Sequence, residues 1–331
     1  MQTEPIANKR LQLHLMDLQE QRHLFARDVA RGLSSPQKWL PPKYFYDERG
    51  SQLYEQICAL PEYYPYRAEL DILRTHAAEV HAEIGHLPLV EFGSGTATKT
   101  RHLLSAYEWA GRPFCYCPVD ISREILQDTA DQLLREYRYL EVRAMHADFA
   151  GQPEVIRAFE LGKKAVAFLG SSLGNFTPEE SAEFLRRTAA IMGPEDVFLL
   201  GIDVKKSPKI LIPAYDDAQG VTAAFNLNVL QRINRELGGQ FDPRAFEHLA
   251  LYNDGRGCVE MHLRSRQAQD VPIAGIEQVV SFGKDETIHT ESSYKYSLDE
   301  VRDLGYQANL ALRRTWFDVR RYFLLALFRP L

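Results

Sequence analysis

A glycine-rich turn directly follows an apolar segment of the chain. Residues 89–100 read LVEFGSGTATKT, so Gly93 and Gly95 come after a segment that carries a single acidic residue, Glu91. Glycines at such a position let the main chain turn tightly and let a ligand approach the backbone closely. The dinucleotide fingerprint requires a third glycine, and this chain has Thr98 there. The turn therefore favours a nucleoside cofactor without a pyrophosphate, such as S-adenosylmethionine, over a nicotinamide or flavin dinucleotide.

Two further carboxylates follow the next two apolar runs. Asp120 ends the run FCYCPVD, and Asp148 with Phe149 ends VRAMHADF. A carboxylate at a strand end can accept hydrogen bonds from both ribose hydroxyls, and an acid followed by an aromatic ring can bind and cover an adenine. Asp120 could equally cap a helix, and Asp148 could be a loop residue beside a core phenylalanine. Lys99, in the first turns of the helix after the glycines, either contacts the cofactor or is solvated.

Asn175 is the candidate residue for binding the second ligand, the substrate that would receive a methyl group from such a cofactor. It lies in GSSLGNFTPEE, just before a helix whose start is indicated by Pro178 and by Thr177 and Glu180 at capping-box spacing. An asparagine amide both donates and accepts hydrogen bonds, so it can bind the carboxylate or the amine of an amino acid. Its sequence position alone leaves open that Asn175 is only a turn residue.

The elements that position these residues follow a regular alternation. Between residues 87 and 204, five apolar runs alternate with helical segments, which predicts a parallel, doubly wound sheet with its ligand site at the carboxyl edge. A late helix, started by Ser297 and Glu300 at capping-box spacing, precedes two final strands. Residues around 11–33 are predicted to form one polar amphipathic helix.

The interruption of this alternation predicts two domains. A late helix followed by two strands is how class I (Rossmann-like) methyltransferase sheets end, so that α/β domain is assigned to 68–204 plus 296–331 and is expected to bind S-adenosylmethionine. The intervening segment and the N-terminal part, 15–67 plus 205–295, are expected to form a second, α+β domain that binds the substrate.

Composition restricts the class of protein. The chain has 331 residues, 45% of them hydrophobic, and a formal net charge of −6 without a block of like charges. It has no basic patch typical of nucleic-acid binding and no apolar run of about 20 residues that could span a membrane. Its start lacks an apolar signal segment, and its four cysteines include no C-x-x-C pair. We expect a cytoplasmic monomer with reduced cysteines and small-molecule substrates, and no metal, nucleic acid or membrane as partner.

Several segments together resemble the histidine-specific Nα-methyltransferase family. The resemblance extends roughly from Pro36 to the last strand. The segments that carry it read PKYFYD, LPEYYP, VEFGSGTATKT, LGSSLGN, AYDDAQGVTAAFN, NVL-x-x-x-NREL and VEMHLR. The resemblance implies trimethylation of the α-amino group of L-histidine to hercynine, which is the first step of ergothioneine biosynthesis. S-adenosyl-L-methionine would be the methyl donor, and no metal would take part.

The resemblance also implies roles for residues that contact the amino acid. Tyr63, Asn175 and Tyr215 match positions that hold its carboxylate and amine. Tyr46 matches a tyrosine whose hydroxyl is directed at the amine being methylated. Tyr46 and Asn175 are therefore the predicted catalytic residues.

A second group of residues matches the contacts to the ring and to the cofactor. Glu291 and Ser293 match the pair that bonds the imidazole, Met261 matches a residue flanking it, and Ser292 is a predicted neighbour of the substrate without an assigned side-chain role. Tyr54 occupies a position near the cofactor where the family often has phenylalanine. The implied cofactor contacts are Tyr54, Gly93, Gly95, Lys99, Asp120, Asp148 and Phe149.

The chemistry of the ring contacts agrees with the resemblance. Imidazole offers one N–H donor, which Glu291 can accept, and one acceptor nitrogen, to which Ser293 can donate. Buried polar partners of this kind reject ligands that leave them unpaired. By pattern alone, however, TESSYKY favours an exposed polar loop.

The alternatives to a histidine Nα-methyltransferase are an Nα-methyltransferase of tryptophan, tyrosine or another amino acid and a non-catalytic cofactor-binding module. A nicotinamide oxidoreductase is disfavoured by the missing third glycine.

Overall fold

The computed structural model describes residues 2–3, 9–15 and 18–331, with side chains for 9–15 and from residue 21 onward. These residues fall into two units. The sheet unit comprises Met1–Met16, Pro65–Lys205 and Lys295–Leu331, and the insertion unit comprises Asp17–Tyr64 and Lys206–Tyr294. What each unit binds stays a prediction.

Strands and helices are numbered in chain order. The strands are β1 (Gln2–Thr3), β2 (Leu11–Leu15), β3 (Lys38–Trp39), β4 (Leu89–Phe92), β5 (Phe114–Asp120), β6 (Leu140–His146), β7 (Ala165–Phe168), β8 (Val197–Asp203), β9 (Phe246–Asn253), β10 (Cys258–Ser265), β11 (Gln269–Ile273), β12 (Gln278–Phe282), β13 (Thr287–Tyr294), β14 (Leu310–Phe317) and β15 (Phe323–Pro330). The helices are α1 (Leu18–Leu33), α2 (Glu48–Ala59), α3 (Tyr64–Ile84), α4 (Arg101–Trp109), α5 (Arg123–Glu136), α6 (Pro178–Ala189), α7 (Pro208–Leu211), α8 (Val221–Leu237) and α9 (Leu298–Gln307). None of the helices in the described part of the chain is long and apolar enough to cross a membrane.

The sheet unit is built on one nine-stranded sheet. Its strand order is β1-β2-β6-β5-β4-β7-β8-β15-β14. The central strands from β2 to β8 are parallel, and β15 and β14 add antiparallel strands at one side. Strands β4, β7 and β8 are buried throughout, as near-continuous apolar runs covered on both faces should be. The chain order reverses at β4, so the carboxyl end of β4 is where an open α/β sheet binds its ligand.

The prediction of a single helix over residues 11–33 is wrong for the first part of this segment. Leu11–Leu15 is strand β2, which pairs in parallel with β6, and the helix begins at Leu18. The segment LQLHL alternates apolar and polar residues, and its three leucines are buried on one face, which is the period of a strand rather than a helix. Residues 16 and 17 of the predicted helix lie outside the described residues.

Both predicted capping boxes are confirmed. In α6 the Thr177 hydroxyl accepts from the Glu180 N–H while the Glu180 carboxylate accepts from the Thr177 N–H. Ser297 and Glu300 make the same reciprocal pair at the start of α9. These local bonds satisfy backbone N–H groups that have no partner within the helix.

The insertion unit contains a four-stranded sheet in the order β3-β13-β10-β9 and a two-stranded sheet of β11 and β12. The exposed polar loop that the pattern TESSYKY favours is not present, because Thr287–Tyr294 is strand β13 and Glu291, Ser292 and Ser293 are all buried. Helix α8 begins at Val221, and the Asp217 carboxylate accepts the backbone N–H groups of Gln219, Val221 and Thr222 around this start.

Candidate active site

The glycine turn at the end of β4 requires both of its glycines. Gly93 and Gly95 have φ angles of +67° and +49°, a left-handed conformation that side chains disfavour. A Cβ atom on Gly93 would also lie 3.3 Å from Cζ of Phe149. The turn therefore leaves bare main chain beside an aromatic ring at the carboxyl edge of the sheet.

Asp120 holds this turn from the end of β5. Its Oδ2 accepts the Gly95 N–H at 2.8 Å, and its Oδ1 accepts the Ser122 N–H at 2.9 Å. Burial raises the pKa of Asp120, and the backbone N–H donors oppose that rise. Ser122, not Asp120, occupies the N-cap position of α5. An ionised carboxylate has about four acceptor positions, so these two bonds leave acceptor capacity for ribose hydroxyls.

Phe149 is positioned by other aromatic rings. It stacks on Phe92 with ring centroids 5.2 Å apart and meets Phe168 edge-on at 5.7 Å. Asp148, directly before it, is half-buried and accepts the Gly151 N–H at 3.4 Å. The aromatic ring that sequence analysis singled out is thus fixed against β4 and β7, next to Gly93.

Lys99 lies in the turn before α4, whose N-cap is Thr100, and not in the helix as predicted. The solvated alternative for Lys99 is wrong, because its side chain is only 16% exposed and forms an ion pair with Glu69. Glu69, on α3, is fully buried, and both of its oxygens lie 2.9 Å from the Gly170 nitrogen, which donates to them. Sequence reasoning missed Glu69. The available signal was a carboxylate on the buried stripe of a helix, next to Ala68 and Ile72.

Glu91 has a structural task inside the sheet unit. It is buried on β4, where it accepts hydrogen bonds from the hydroxyls of Thr100 and Tyr116. Burial raises the pKa of Glu91 to about 7, although both hydroxyl donors and Lys99 oppose that rise. The acidic residue before the glycines therefore ties β4 to β5 and to the start of α4.

Asn175 ends a short 3₁₀ turn, Ser172–Asn175, between β7 and α6. The turn starts after Ser171, a non-glycine residue with a φ angle of +58°. Asn175 is half-buried. Its place at the carboxyl end of a central strand agrees with a role in binding, which stays a prediction.

In the insertion unit, the predicted ring contacts share one face of a β-ladder. Met261 on β10 pairs with Glu291 on β13, and Val259 pairs with Ser293. Since alternate residues of a strand point to the same side, Glu291 and Ser293 lie on one face. The hydroxyl oxygens of Ser293 and Tyr215 are 2.7 Å apart, which is a hydrogen bond between two predicted substrate contacts.

Ser292 is directed to the opposite face of β13. Its hydroxyl is 3.0 Å from Nε2 of His289, and the rings of His289 and His262 are 5.1 Å apart. His262 in turn is 3.2 Å from a carboxylate oxygen of Glu260. Burial, with the nearby His262, lowers the pKa of His289 to about 4. The Ser292 side chain therefore has a neutral histidine as its partner.

The four predicted tyrosines form an aromatic cluster in the insertion unit. Ring centroids are 5.6 Å apart between Tyr46 and Tyr54 and 6.3 Å apart between Tyr54 and Tyr63. Tyr63 is also 6.4 Å from Tyr215. Phe225 of α8, which sequence reasoning missed, lies 5.7 Å from Tyr46. Burial raises the pKa of Tyr54 and of Tyr63 well above the usual range, so these hydroxyls stay protonated and can donate hydrogen bonds.

The two sets of residues suit different ligands. The sheet unit offers bare backbone, an aromatic ring and carboxylates, which fit a nucleoside. The insertion unit offers a buried carboxylate and a buried hydroxyl on one strand face together with protonated tyrosines, which fit a small polar amino acid. Among the described residues, no group of three or more histidine, cysteine, aspartate or glutamate side chains could hold a metal ion.

Comparisons with known proteins agree with these features. A profile of the family described as "Histidine-specific methyltransferase, SAM-dependent" matches residues 25–330. The chain is 44% identical over 292 residues to the histidine N-alpha-methyltransferase of Mycolicibacterium smegmatis, which covers 88% of this chain and 90% of that relative.

More distant relatives carry other names. The chain is 32% identical over 284 residues to ergothioneine biosynthesis protein 1 of Neurospora crassa, which covers 84% of this chain and 32% of that relative. It is 27% identical over 303 residues to a 4-dimethylallyltryptophan N-methyltransferase of Arthroderma benhamiae, with 88% of each chain covered.

Proposed function

Because the chain belongs to the histidine-specific, S-adenosylmethionine-dependent methyltransferase family, we propose that it trimethylates the α-amino group of L-histidine to hercynine, the first step of ergothioneine biosynthesis. The predicted family, enzyme class and methyl donor are confirmed by the match over residues 25–330. The predicted class I fold is confirmed as well, since the parallel core of the sheet ends in a helix and two antiparallel strands.

The observation that carries the choice of histidine is the buried pair Glu291 and Ser293 on one face of β13. A carboxylate and a hydroxyl match the donor and the acceptor of an imidazole ring. An indole is a donor only and would leave the hydroxyl unpaired, and a phenol carries both functions on one oxygen rather than on two separate ring atoms. Met261, opposite Glu291 in the ladder, is proposed to flank the ring. Tryptophan and tyrosine are therefore not favoured as acceptors.

The methyl donor is proposed to bind the sheet unit. Gly93 and Gly95 would let it approach the main chain, Asp120 would accept the ribose hydroxyls, and Asp148 with Phe149 would bind the adenine. Lys99 completes the proposed contacts from this unit, and the resemblance implies a further contact from Tyr54. The support is the conformation of the glycine turn and the way Asp120 and Phe149 converge on it.

The chemical step needs little from the protein beyond positioning. A sulfonium is a good leaving group, so methyl transfer is an in-line displacement that requires a neutral amine held about 3–3.5 Å from the methyl carbon. A free α-amino group titrates near ~8, so the neutral form is accessible at neutral pH. Tyr63, Tyr215 and Asn175 are proposed to hold the carboxylate and the amine.

Tyr46 is proposed to orient the lone pair of the amine through a hydrogen bond, directly or through water. Each transfer releases one proton, and the amine loses one N–H donor each time. After two transfers the nitrogen has only a lone pair to offer, so the Tyr46 hydroxyl is proposed to donate to it while the amine is positioned and to release it when the lone pair forms the N–C bond and the C–S bond breaks. Ser292 is proposed to contribute to the substrate-binding segment between Glu291 and Ser293.

Truncation of Glu291 tests this proposal. Glu291→Ala removes the acceptor for the imidazole N–H. Because this is the loss of a buried charged hydrogen bond, we expect kcat/KM for histidine to fall about a hundredfold. The matched control is Glu55→Ala, which changes an exposed glutamate of α2 in the same unit. Binding of S-adenosylhomocysteine, measured by calorimetry, should be the same in both variants and the wild type. Unchanged histidine turnover in Glu291→Ala would remove histidine as the assigned acceptor.

We also propose that the enzyme acts as a cytoplasmic monomer on free amino acids, without nucleic-acid or membrane partners. The support is the mixed, mildly acidic composition and the four cysteines, none of which is joined in a disulfide, as suits a reducing compartment. Sedimentation at micromolar concentration should give a single species of about the chain mass of 37.9 kDa.

A further inference from the structure

Glu69 is a fully buried carboxylate that directly joins a predicted cofactor contact to the end of a central strand of the sheet unit. It forms an ion pair with Lys99, and the Gly170 N–H, directly after β7 and Leu169, donates to both of its oxygens. The Gly170 φ angle is +77°, and a Cβ there would lie 3.5 Å from Nζ of Lys99. Glu69, Lys99 and Gly170 are thus in mutual contact.

The sheet is shaped to admit this carboxylate. A Cβ atom on Gly201 of β8 would lie 2.1 Å from Oε1 of Glu69, a separation that no side chain could keep. Gly201 does not have a left-handed φ angle, so space rather than backbone conformation requires the glycine. Three elements, α3, the β7 end and β8, therefore fix the position of Glu69.

The position of Glu69 decides where the Lys99 ammonium lies. An ammonium donates up to three hydrogen bonds from one compact charge, and its stem is flexible unless a partner holds it. S-adenosylmethionine carries a sulfonium cation, an α-ammonium and one anion, its α-carboxylate. A cationic side chain that contacts this cofactor is attracted to that carboxylate and repelled by the two cations.

We propose that Glu69 is a positioning residue that holds the Lys99 ammonium in place to bind the α-carboxylate of the methyl donor. This inference rests on the proposed contact of Lys99 with the cofactor and adds the part of the cofactor it binds. Glu69 touches neither the cofactor nor the acceptor. It acts through Lys99, so its effect depends on Lys99 and on the presence of a carboxylate in the ligand.

Two ligands that differ in the amino-acid part provide the test. S-adenosylhomocysteine has the α-carboxylate, and 5′-methylthioadenosine lacks it, while both contain the same nucleoside. Binding of each is measured by calorimetry to the full-length wild type and to Glu69→Gln, Lys99→Met and the double variant. A glutamine side chain is isosteric with that of Glu69 but neutral. Whichever way its amide lies, the N–H₂ faces either the Lys99 ammonium or the Gly170 N–H, and the charge that holds Lys99 is lost.

We expect Glu69→Gln to lower the affinity for S-adenosylhomocysteine by about tenfold or more, the equivalent of one charge-assisted hydrogen bond. The affinity for 5′-methylthioadenosine should change by less than about twofold. Lys99→Met should give the same selective loss, and the double variant should be no weaker than Lys99→Met. Equal weakening of both ligands by Glu69→Gln would mean a merely structural role and would overturn the inference.

The remaining outcomes separate this inference from the proposed function. Selective loss in Lys99→Met without loss in Glu69→Gln would overturn the role of Glu69 and leave the Lys99 contact standing. No selective loss in Lys99→Met would remove both roles, but it would not affect the assignment of histidine, which depends on Glu291. If Glu69→Gln does not fold, Glu69→Asp takes its place, because its shorter side chain draws the carboxylate away from Lys99. A selective loss of S-adenosylhomocysteine binding in Glu69→Asp supports the inference, and an unchanged affinity or an equal loss for both ligands contradicts it.

Discussion

The two units hold their predicted site residues by different kinds of bonds. In the sheet unit, side-chain carboxylates accept backbone N–H groups, as Asp120 does from Gly95 and Ser122. In the insertion unit, side chains bond to one another, as Tyr215 does to Ser293 and Ser292 to His289. The glycine turn is therefore fixed through the main chain and the predicted ring contacts through pairs of side chains, whereas Lys99 of the sheet unit is held by a side-chain ion pair with Glu69.

This difference explains which of the two sites can be predicted from local sequence. A site held by backbone N–H groups needs only a turn of the right shape, and the glycines and the strand-end aspartate that make it leave a short motif. A site held by side-chain pairs joins residues far apart in the chain, such as Tyr215 and Ser293. Substitutions should accordingly act differently in the two units.

The largest effect is expected at the main-chain-held site. Asp120→Asn replaces one of two acceptor oxygens by an amide N–H₂, which would face either the Gly95 or the Ser122 N–H, and it weakens the proposed ribose contact too. We expect the affinity for S-adenosylhomocysteine to fall about a hundredfold, as for a lost charged hydrogen bond with a donor left unpaired. The control is Asp128→Asn, an exposed aspartate of α5. A loss below about threefold would contradict the comparison.

Two adjacent serines test the side-chain-held site. Ser293→Ala removes the proposed donor to the imidazole and the bond to Tyr215, so the KM for histidine should rise about tenfold. Ser292→Ala removes only the bond to His289 on the other face of β13, so we expect less than about a threefold change. Each variant is the control for the other, because both residues are buried neighbours. The reverse order would mean that β13 presents its other face to the substrate.

Sequence predicted the elements of the sheet unit well, with Asn175 among its candidate site residues, whereas the site residues of the insertion unit were predicted only through resemblance. Near-continuous apolar runs, strand-end acids and capping boxes are local signals, and each of them led to the correct element. The strand Leu11–Leu15 was missed because a short period-two segment was included in a neighbouring helix. The strand at Glu291–Ser293 was missed by pattern because its buried side chains are polar, and only their partners elsewhere in the chain explain that burial. Glu69 was missed because one acid on an amphipathic helix looks like a surface residue.

Tyr46 offers a kinetic test within the side-chain-held site. Tyr46→Phe keeps the ring packed against Tyr54 and Phe225 and removes only the hydroxyl. Since that hydroxyl is the proposed donor to the last lone pair, the third transfer should slow several-fold more than the first, and dimethylhistidine should accumulate. Single-turnover assays starting from histidine and from its dimethyl form measure both steps. Equal slowing of all three transfers would remove this role for Tyr46.

The smallest effect on binding and turnover is expected from Glu91, which should change only the free energy of unfolding. Its folded-state pKa of about 7 lies above the ordinary value of 4.5, so its contribution to stability is fully present below pH 4.5 and is lost as the pH rises through 7. Glu91→Gln cannot ionise. Urea unfolding at pH 5 and pH 8 should therefore show the wild type losing more stability than the variant, by roughly 2–3 kcal/mol. Parallel losses in the two proteins would mean that Glu91 is ionised throughout.

Acceptor identity is tested most directly by mass spectrometry of a reaction that contains the purified protein, S-adenosylmethionine and the twenty common amino acids together. We expect histidine alone to gain three methyl groups, and fragmentation should place all three on the α-nitrogen. Methylation of tryptophan or tyrosine in preference to histidine, or of an imidazole nitrogen in place of the α-amino group, would contradict this expectation.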